Sequence, residues 1–224
     1  MDQPFKIIVT TSDGYHHVLP IFFFLFNKFW GEETQVELVG YKKPDIQIPE
    51  NFTFVSLGEQ HKHVGSWSTK IREYFSEQPD YFIWMMEDTF IYRPVKHESI
   101  EFCKEVVQDK RIGRIALSDY SYDQYTCKYS QNVCRTGELS KYNLSTQIAL
   151  WNKDYLLRYL RKEMSPWELE CQRKHIDGFH NVCLVSGSAP VTHNEGVRIR
   201  DIHKFNFSGF DQSLLNELKQ KFGV

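Results

Sequence analysis

Glu87 and Asp88 follow directly on Tyr81–Met86, six apolar residues in a row. Continuous apolarity over that length reads as a strand covered on both faces, and so as a central one. Two carboxyl groups at the end of a buried strand repel each other unless a cation or a basic group lies between them. A hard divalent ion such as Mg2+ or Mn2+ supplies that charge, and it commonly shares its coordination with a phosphate. The plainer reading is that the pair caps a turn or meets Arg93. A second polar cluster, Thr10-Thr11-Ser12-Asp13, closes the apolar stretch that begins at Phe5. Ligands of open α/β sheets bind outside the carboxyl ends of the strands, so the two clusters mark candidate site walls. A third group is Ser165-Pro166-Trp167-Glu168-Leu169-Glu170. Serine at the cap, proline at the first helical position and glutamate three residues after the cap make a capping box. Glu168 is then occupied at the cap, whereas Glu170 is free to point elsewhere. Near a helix N-terminus Glu170 is expected to stay ionised.

These groups need a scaffold, and the hydropathy pattern supplies one. Apolar runs alternate with helical periodicity along the chain, which predicts an α/β layered domain. Strands are expected at 5–10, 36–39, 52–57, 81–86, 114–117, 146–151 and 182–185. Helices are expected at 21–30, 67–75, 98–108 and 155–162, with another starting at the Ser165 cap. The helix over 21–30 is apolar almost all round, so it should be buried on more than one side. A C-terminal helix at about 211–222 is capped by Asp211 and stopped by Gly223. Residues 118–142 form a long polar, Tyr-rich stretch, and so long a loop in a compact domain usually serves function. No internal repeat and no low-complexity linker interrupts the chain, and 224 residues suit one large domain.

Composition narrows the function classes. With 27 Lys+Arg against 29 Asp+Glu the formal charge is -2, which leaves no net positive field to collect nucleic-acid phosphates. Hydrophobic residues at 41% and charged residues at 25% are those of an ordinary globular protein, not a disordered one. The longest apolar run, residues 18–26, is far short of the ~20 residues a spanning helix needs, so no transmembrane segment is expected. No basic stretch with a cleavage site opens the chain, and its five cysteines are scattered. A cytoplasmic protein with reduced thiols is therefore expected.

Taken with their order and spacing, these residues resemble the small GT-A-type glycosyltransferases of bacterial capsule and lipopolysaccharide clusters and of large DNA viruses. Four segments carry the likeness. They are Thr11-Ser12-Asp13-Gly14-Tyr15 with the aromatic helix ending Lys28-Phe29-Trp30; Trp67-Ser68 before the central strand; Met86-Glu87-Asp88-Thr89-Phe90-Ile91, similar to a variant of the Asp-x-Asp metal motif; and Gln147-Ile148-Ala149-Leu150-Trp151-Asn152-Lys153, continued by Ser165-Pro166-Trp167-Glu168-Leu169-Glu170. They span roughly residues 5–200.

The resemblance implies a single GT-A-like (Rossmann-like) domain with a mostly parallel central sheet flanked by helices. Its nucleotide-binding part is about 1–117 and its acceptor-binding part about 118–200. It implies an enzyme of the hexosyl- or deoxyhexosyltransferase type, with a nucleoside-diphosphate sugar donor (UDP- or dTDP-sugar), Mn2+ or Mg2+, and a glycan or glycoconjugate acceptor. The metal falls to Asp88, with Glu87 beside it and His193 completing the set. Departure of a nucleoside diphosphate needs an electrophile, which such an ion provides. The resemblance makes Glu170 the general base for the acceptor hydroxyl, which implies single displacement with inversion. The nucleotide is expected against Thr10, Thr11, Ser12 and Asp13, with Tyr41 as a stacking partner and Ser68 and Lys70 near the diphosphate. Trp167 is placed under the acceptor sugar, with core packing as its other reading, and Trp67 is expected in the core. Arg198 and Arg200 are further candidates for the diphosphate.

Two rival functions use the same residues differently. A sugar nucleotidyltransferase also employs strand-end carboxylates and a metal, but it needs a glycine-rich, basic phosphate loop after the first strand. Thr11-Ser12-Asp13-Gly14 has neither feature. A non-catalytic sugar-binding module would use the Tyr-rich loop and leave the acids dispensable. Cys171, His175, His180 and Cys183 suggest zinc, but their spacing matches no standard structural zinc site.

Overall fold

The computed structural model describes residues 3–60, 67–118, 127–137, 143–172, 178–185, 187–198 and 201–224. In chain order the elements are β1 (Lys6–Thr10), α1 (Leu19–Phe29), β2 (Val36–Gly40), β3 (Phe52–Ser56), α2 (Trp67–Ser76), β4 (Tyr81–Met86), β5 (Thr89–Ile91), α3 (His97–Val106) and β6 (Ile112–Ala116). They continue as β7 (Cys127–Lys128), β8 (Val133–Arg135), β9 (Ala149–Asn152), α4 (Lys153–Tyr159), α5 (Pro166–Glu170), β10 (His180–Leu184), β11 (His193–Glu195), β12 (Val197–Arg198), β13 (Asp201–Phe205) and α6 (Gln212–Phe222).

One large sheet has the order β3-β2-β1-β4-β9-β6-β10-β8-β7. Strands β3, β2, β1 and β4 are mutually parallel, and β6 is parallel to β10. Strand β9 is antiparallel to both β4 and β6, so it alone reverses direction within the β3-to-β10 stretch. The expected mostly parallel α/β sheet is therefore present, with one inverted strand at its centre. Its far edge, β8 and β7, is antiparallel and comes from the stretch read as loop. Of that stretch, residues 119–126 and 138–142 lie outside the described residues.

Strand β4 shows why its sequence is apolar throughout. Ile83 and Met85 face a core layer with Phe22 and Phe26 of α1, Cys103 of α3 and Leu214 of α6. Phe82 and Trp84 face the opposite layer with Phe75 of α2, Leu156 of α4 and Leu169 of α5. Each such buried side chain contributes about 1.5–3 kcal/mol over an exposed one. Helix α1 buries Leu19, Ile21, Phe22, Phe23, Leu25 and Phe26, as its all-round apolarity requires. It starts at Leu19 because a 3-10 turn over Asp13–Val18 leads into it.

Three boundaries differ from the sequence reading for local reasons. Strand β9 begins at Ala149, not at 146, since the Thr146 amide bonds a side chain instead of a strand. Helix α4 begins at Lys153 because the Asn152 side chain accepts from the Tyr155 amide at 2.9 Å and caps it. Strand β10 begins at His180, two residues ahead of the apolar run. At the C-terminus Asp211 accepts from the Leu214 amide at 2.8 Å, and Gly223 closes α6 at φ 72°. Among the described residues no helix is long and apolar enough to cross a membrane.

Candidate functional site

Register brings the two polar strand ends together. Thr10 of β1 pairs with Met86 of β4, so the segments that follow leave the sheet side by side. The Glu87 amide then donates to the Thr10 carbonyl at 3.3 Å. Glu87 is buried, at 2% exposure. Its Oε1 accepts from the Thr11 hydroxyl at 3.3 Å and the Ser12 amide at 3.4 Å. Burial, and then the neighbouring Asp88, push its carboxyl up to about 8. Asp88 sits in the turn into β5. Its carbonyl accepts from the Phe90 amide at 3.0 Å and the Gly196 amide at 2.6 Å. Burial, then Glu195 and Glu170, push its carboxyl up to about 7. No basic group among the described residues offsets the burial of these two carboxyls.

A cleft of about 480 Å³ opens over these strand ends. Its lining includes Thr10, Thr11, Ser12, Asp13 and Tyr41 from the first strand ends, Glu87 and Asp88 after β4, and Trp167, Glu170 and His193. Most of the residues singled out in the sequence thus face one space. Two do not. Ser68 is fully buried, with its Oγ accepting from the Met164 amide at 2.8 Å, so it ties α2 to the segment before α5. Lys70 lies on the outer face of α2 with its Nζ 3.1 Å from Glu73. In this structure the Ser68 hydroxyl and the Lys70 amine are thus engaged away from the described cleft lining.

The local bonds also sort the first wall. The Thr10 hydroxyl accepts from Trp84 Nε1 at 2.9 Å and donates to Met86 Sδ at 3.2 Å, so it locks the sheet end and has no proton left for a ligand. Asp13 accepts from the Lys42 amide at 3.0 Å through Oδ1. Tyr41 is mostly covered, at 5% exposure, with burial raising its phenol above the usual range. Trp67 has the core contact that its place on the apolar stripe of α2 implies. It stacks on Trp84 at 6.3 Å but also lines the cleft.

On the opposite wall the capping box of α5 is formed as expected. Ser165 Oγ accepts from the Glu168 amide at 3.2 Å, and Glu168 Oε2 accepts from the Ser165 amide at 2.7 Å. Those bonds hold the Glu168 carboxyl below its ordinary range. Glu170 is not free in the sense expected. Its Oε1 accepts from the Thr146 amide and hydroxyl, each at 2.7 Å, and from the Ser145 hydroxyl at 3.3 Å. It is also the last residue of a five-residue helix, so the helix-end argument for its charge does not apply. Three donors orient it instead. Trp167, three residues before it on the same short helix, is 52% exposed and the one large hydrophobic side chain that stands out among the described residues.

Residues that the sequence reading missed complete the lining: Tyr15, Gln60, Thr146, Gln147 and Glu195 among them. Burial, then Asp88 and Glu87, raise the Tyr15 phenol. Glu195 arrives through β11, which pairs antiparallel with β5 and sets Glu195 opposite Thr89. Gln147 Nε2 donates to Glu195 Oε1 at 3.1 Å. Gly196, next in the chain, lets the Phe90 ring pass, since a Cβ there would lie 2.6 Å from three ring carbons. Gly196→Ala is therefore expected to destabilise the fold by about 1–3 kcal/mol, read as a lower urea midpoint.

Asp13, Glu87, Asp88, Glu170 and Glu195 give the cleft five carboxyl groups, and no Lys or Arg is among its described lining residues. The donor set suits a hard divalent cation, because a diphosphate entering this space meets no lysine or arginine among the described lining residues. Among the described residues, however, no three His, Cys, Asp or Glu side chains converge closely enough to hold a metal alone. Glu87, Asp88 and His193 line one cleft without forming a closed ligand set. Burial lowers His193 to about 4, so it is neutral at pH 7, as a ligating imidazole must be. For the Cys171, His175, His180 and Cys183 spacing, His175 lies outside the described residues, as does Arg200, while Cys171 is exposed and Cys183 half-buried in β10.

No protein-family model matches the chain, and no curated protein does. Among solved structures, a crystal structure of apo UDP-glucose pyrophosphorylase is similar with a TM-score of 0.45 and 10% identity, over 85% of this chain and 92% of that one. A cytidylyltransferase from Leptospira borgpetersenii serovar Hardjo-bovis is similar with a TM-score of 0.41 and 10% identity, over 74% of this chain and 67% of that one.

Proposed function

We propose that the chain is a metal-assisted glycosyltransferase that moves a sugar from a nucleoside-diphosphate sugar to a hydroxyl of a glycan, with inversion. The observation that carries this reading is one cleft lined by the polar Thr10–Asp13 segment, by the buried Glu87 and the half-buried Asp88, and by an oriented glutamate near an exposed tryptophan. The Ser12 and Asp13 side chains and the covered Tyr41 ring bind the nucleoside. Asp88 and the neutral His193 would hold Mn2+ or Mg2+, with Glu87 bracing the Thr11-Ser12 turn behind them. When bound, the ion neutralises charge that develops on the departing diphosphate. Glu170, anchored through Oε1, offers Oε2 to the acceptor hydroxyl and takes its proton as the oxygen attacks the anomeric carbon. Trp167 carries the acceptor's apolar face.

A sugar nucleotidyltransferase is the second reading, because buried carboxyls at strand ends and a metal serve attack on an α-phosphate equally well. A triphosphate carries more charge than a diphosphate ester, and the described lining has no lysine or arginine to meet it. Thermal denaturation separates the readings. UDP- or dTDP-sugars with Mn2+ are expected to raise the midpoint by about 5–10 °C at 100 times Kd, and either component alone by much less. Stabilisation only by a nucleoside triphosphate with a sugar 1-phosphate would transfer the assignment to the second reading. Indifference to every nucleotide would remove both.

A further inference from the structure

We propose that the acceptor taken by this cleft is an uncharged, hydroxyl-rich glycoside, and that acidic sugars are turned away by the cleft's own carboxylates. The inference rests on the transferase reading and adds a substrate class to it. On the acceptor side Trp167 offers an exposed indole face, and Glu170 stands three residues away on α5. Facing them are Glu195 on β11 and Asp88 in the turn before β5. The carboxylates of Glu195 and Glu170 are held in place. Gln147 Nε2 holds Glu195 at 3.1 Å, and the Thr146 amide and hydroxyl hold Glu170 at 2.7 Å.

A pyranose suits such walls. Its C–H face packs on an indole, and its hydroxyls donate to carboxylate oxygens. A uronic acid of the same shape adds a negative charge that no described lysine or arginine of the lining can pair. Its carboxylate would stand beside those of Glu170 and Glu195, and like-charge juxtaposition excludes a ligand without altering how well the right one fits. The charge of a bound divalent ion does not relieve this, since the donor diphosphate neutralises it.

The test uses the full chain saturated with UDP and Mn2+. Methyl glucoside and methyl galactoside are titrated against the matching methyl glucuronide and galacturonide by ligand-observed NMR. In at least one pair the neutral member is expected to bind about tenfold or more tightly, with the gap narrowing as salt is raised. Glu195→Gln is expected to narrow it as well. Equal binding, or tighter binding of the acidic member, in every pair that binds would overturn the proposal and leave the transferase reading intact. Failure of every glycoside, neutral or acidic, to bind the nucleotide-loaded chain would overturn both.

Discussion

Glu170→Gln is expected to lower turnover by about 10²–10⁴-fold while leaving donor affinity within about twofold of the parent chain. The amide keeps an oxygen where Oε1 now accepts from the Thr146 amide and hydroxyl, so the loop before β9 stays tied to α5. What it loses is the basic oxygen that can take a proton. A drop in kcat with unchanged donor binding is the mark of an interaction used at the transition state. Donor affinity is read by calorimetry with UDP-sugar and Mn2+, and turnover by release of UDP. Near-normal turnover would remove Glu170 from the chemistry. Loss of donor binding as well would mean that its role is to hold the cleft together through residues 145–146. A nucleotidyltransferase needs no base at this place, so retention of pyrophosphate exchange in the variant would favour that activity.

Glu170 also shows where sequence reasoning stops. The capping box was legible because Ser165, Pro166 and Glu168 are neighbours whose bonds run within one turn. That Glu168 is occupied there follows from the same local rule. The anchoring of Glu170 does not, because Ser145 and Thr146 lie 25 and 24 residues away, brought in by the fold. Strand β4 was legible as central since both of its faces are covered and its residues say so. The inversion of β9 was hidden, because Ala149, Leu150 and Trp151 are buried and apolar whichever way the strand runs. Glu195 was missed for a similar reason. It reaches the floor through the pairing of two three-residue strands, β5 and β11, too short to leave a period in the sequence. The hydroxyl of Ser68 and the amine of Lys70 look like ligand groups in one dimension, yet one is buried on the far side of the helix start and the other pairs along it.

Asp88→Asn separates the floor's contribution to binding from its cost to the fold. Asp88 is crowded by Glu195 and Glu170, and burial raises its carboxyl to about 7. Its neighbour Glu87 is pushed up further, with burial the larger cause. A group in that position is destabilising while it lacks a cation and useful once it has one. The asparagine side chain is nearly the same size but uncharged, and its oxygen is a much weaker partner for a divalent ion. The metal-free variant is expected to melt at or above the temperature of the parent chain, since one carboxyl leaves the crowded floor. Its affinity for UDP-sugar in the presence of Mn2+ is expected to fall by about 100-fold or more, and the stabilisation by that pair to vanish. The two effects have opposite signs, so a general loss of folding cannot imitate them. A normal calorimetric titration of Asp88→Asn with UDP-sugar and Mn2+ would show that the ion sits elsewhere, and the buried pair at the end of β4 would then be a feature of the turn alone.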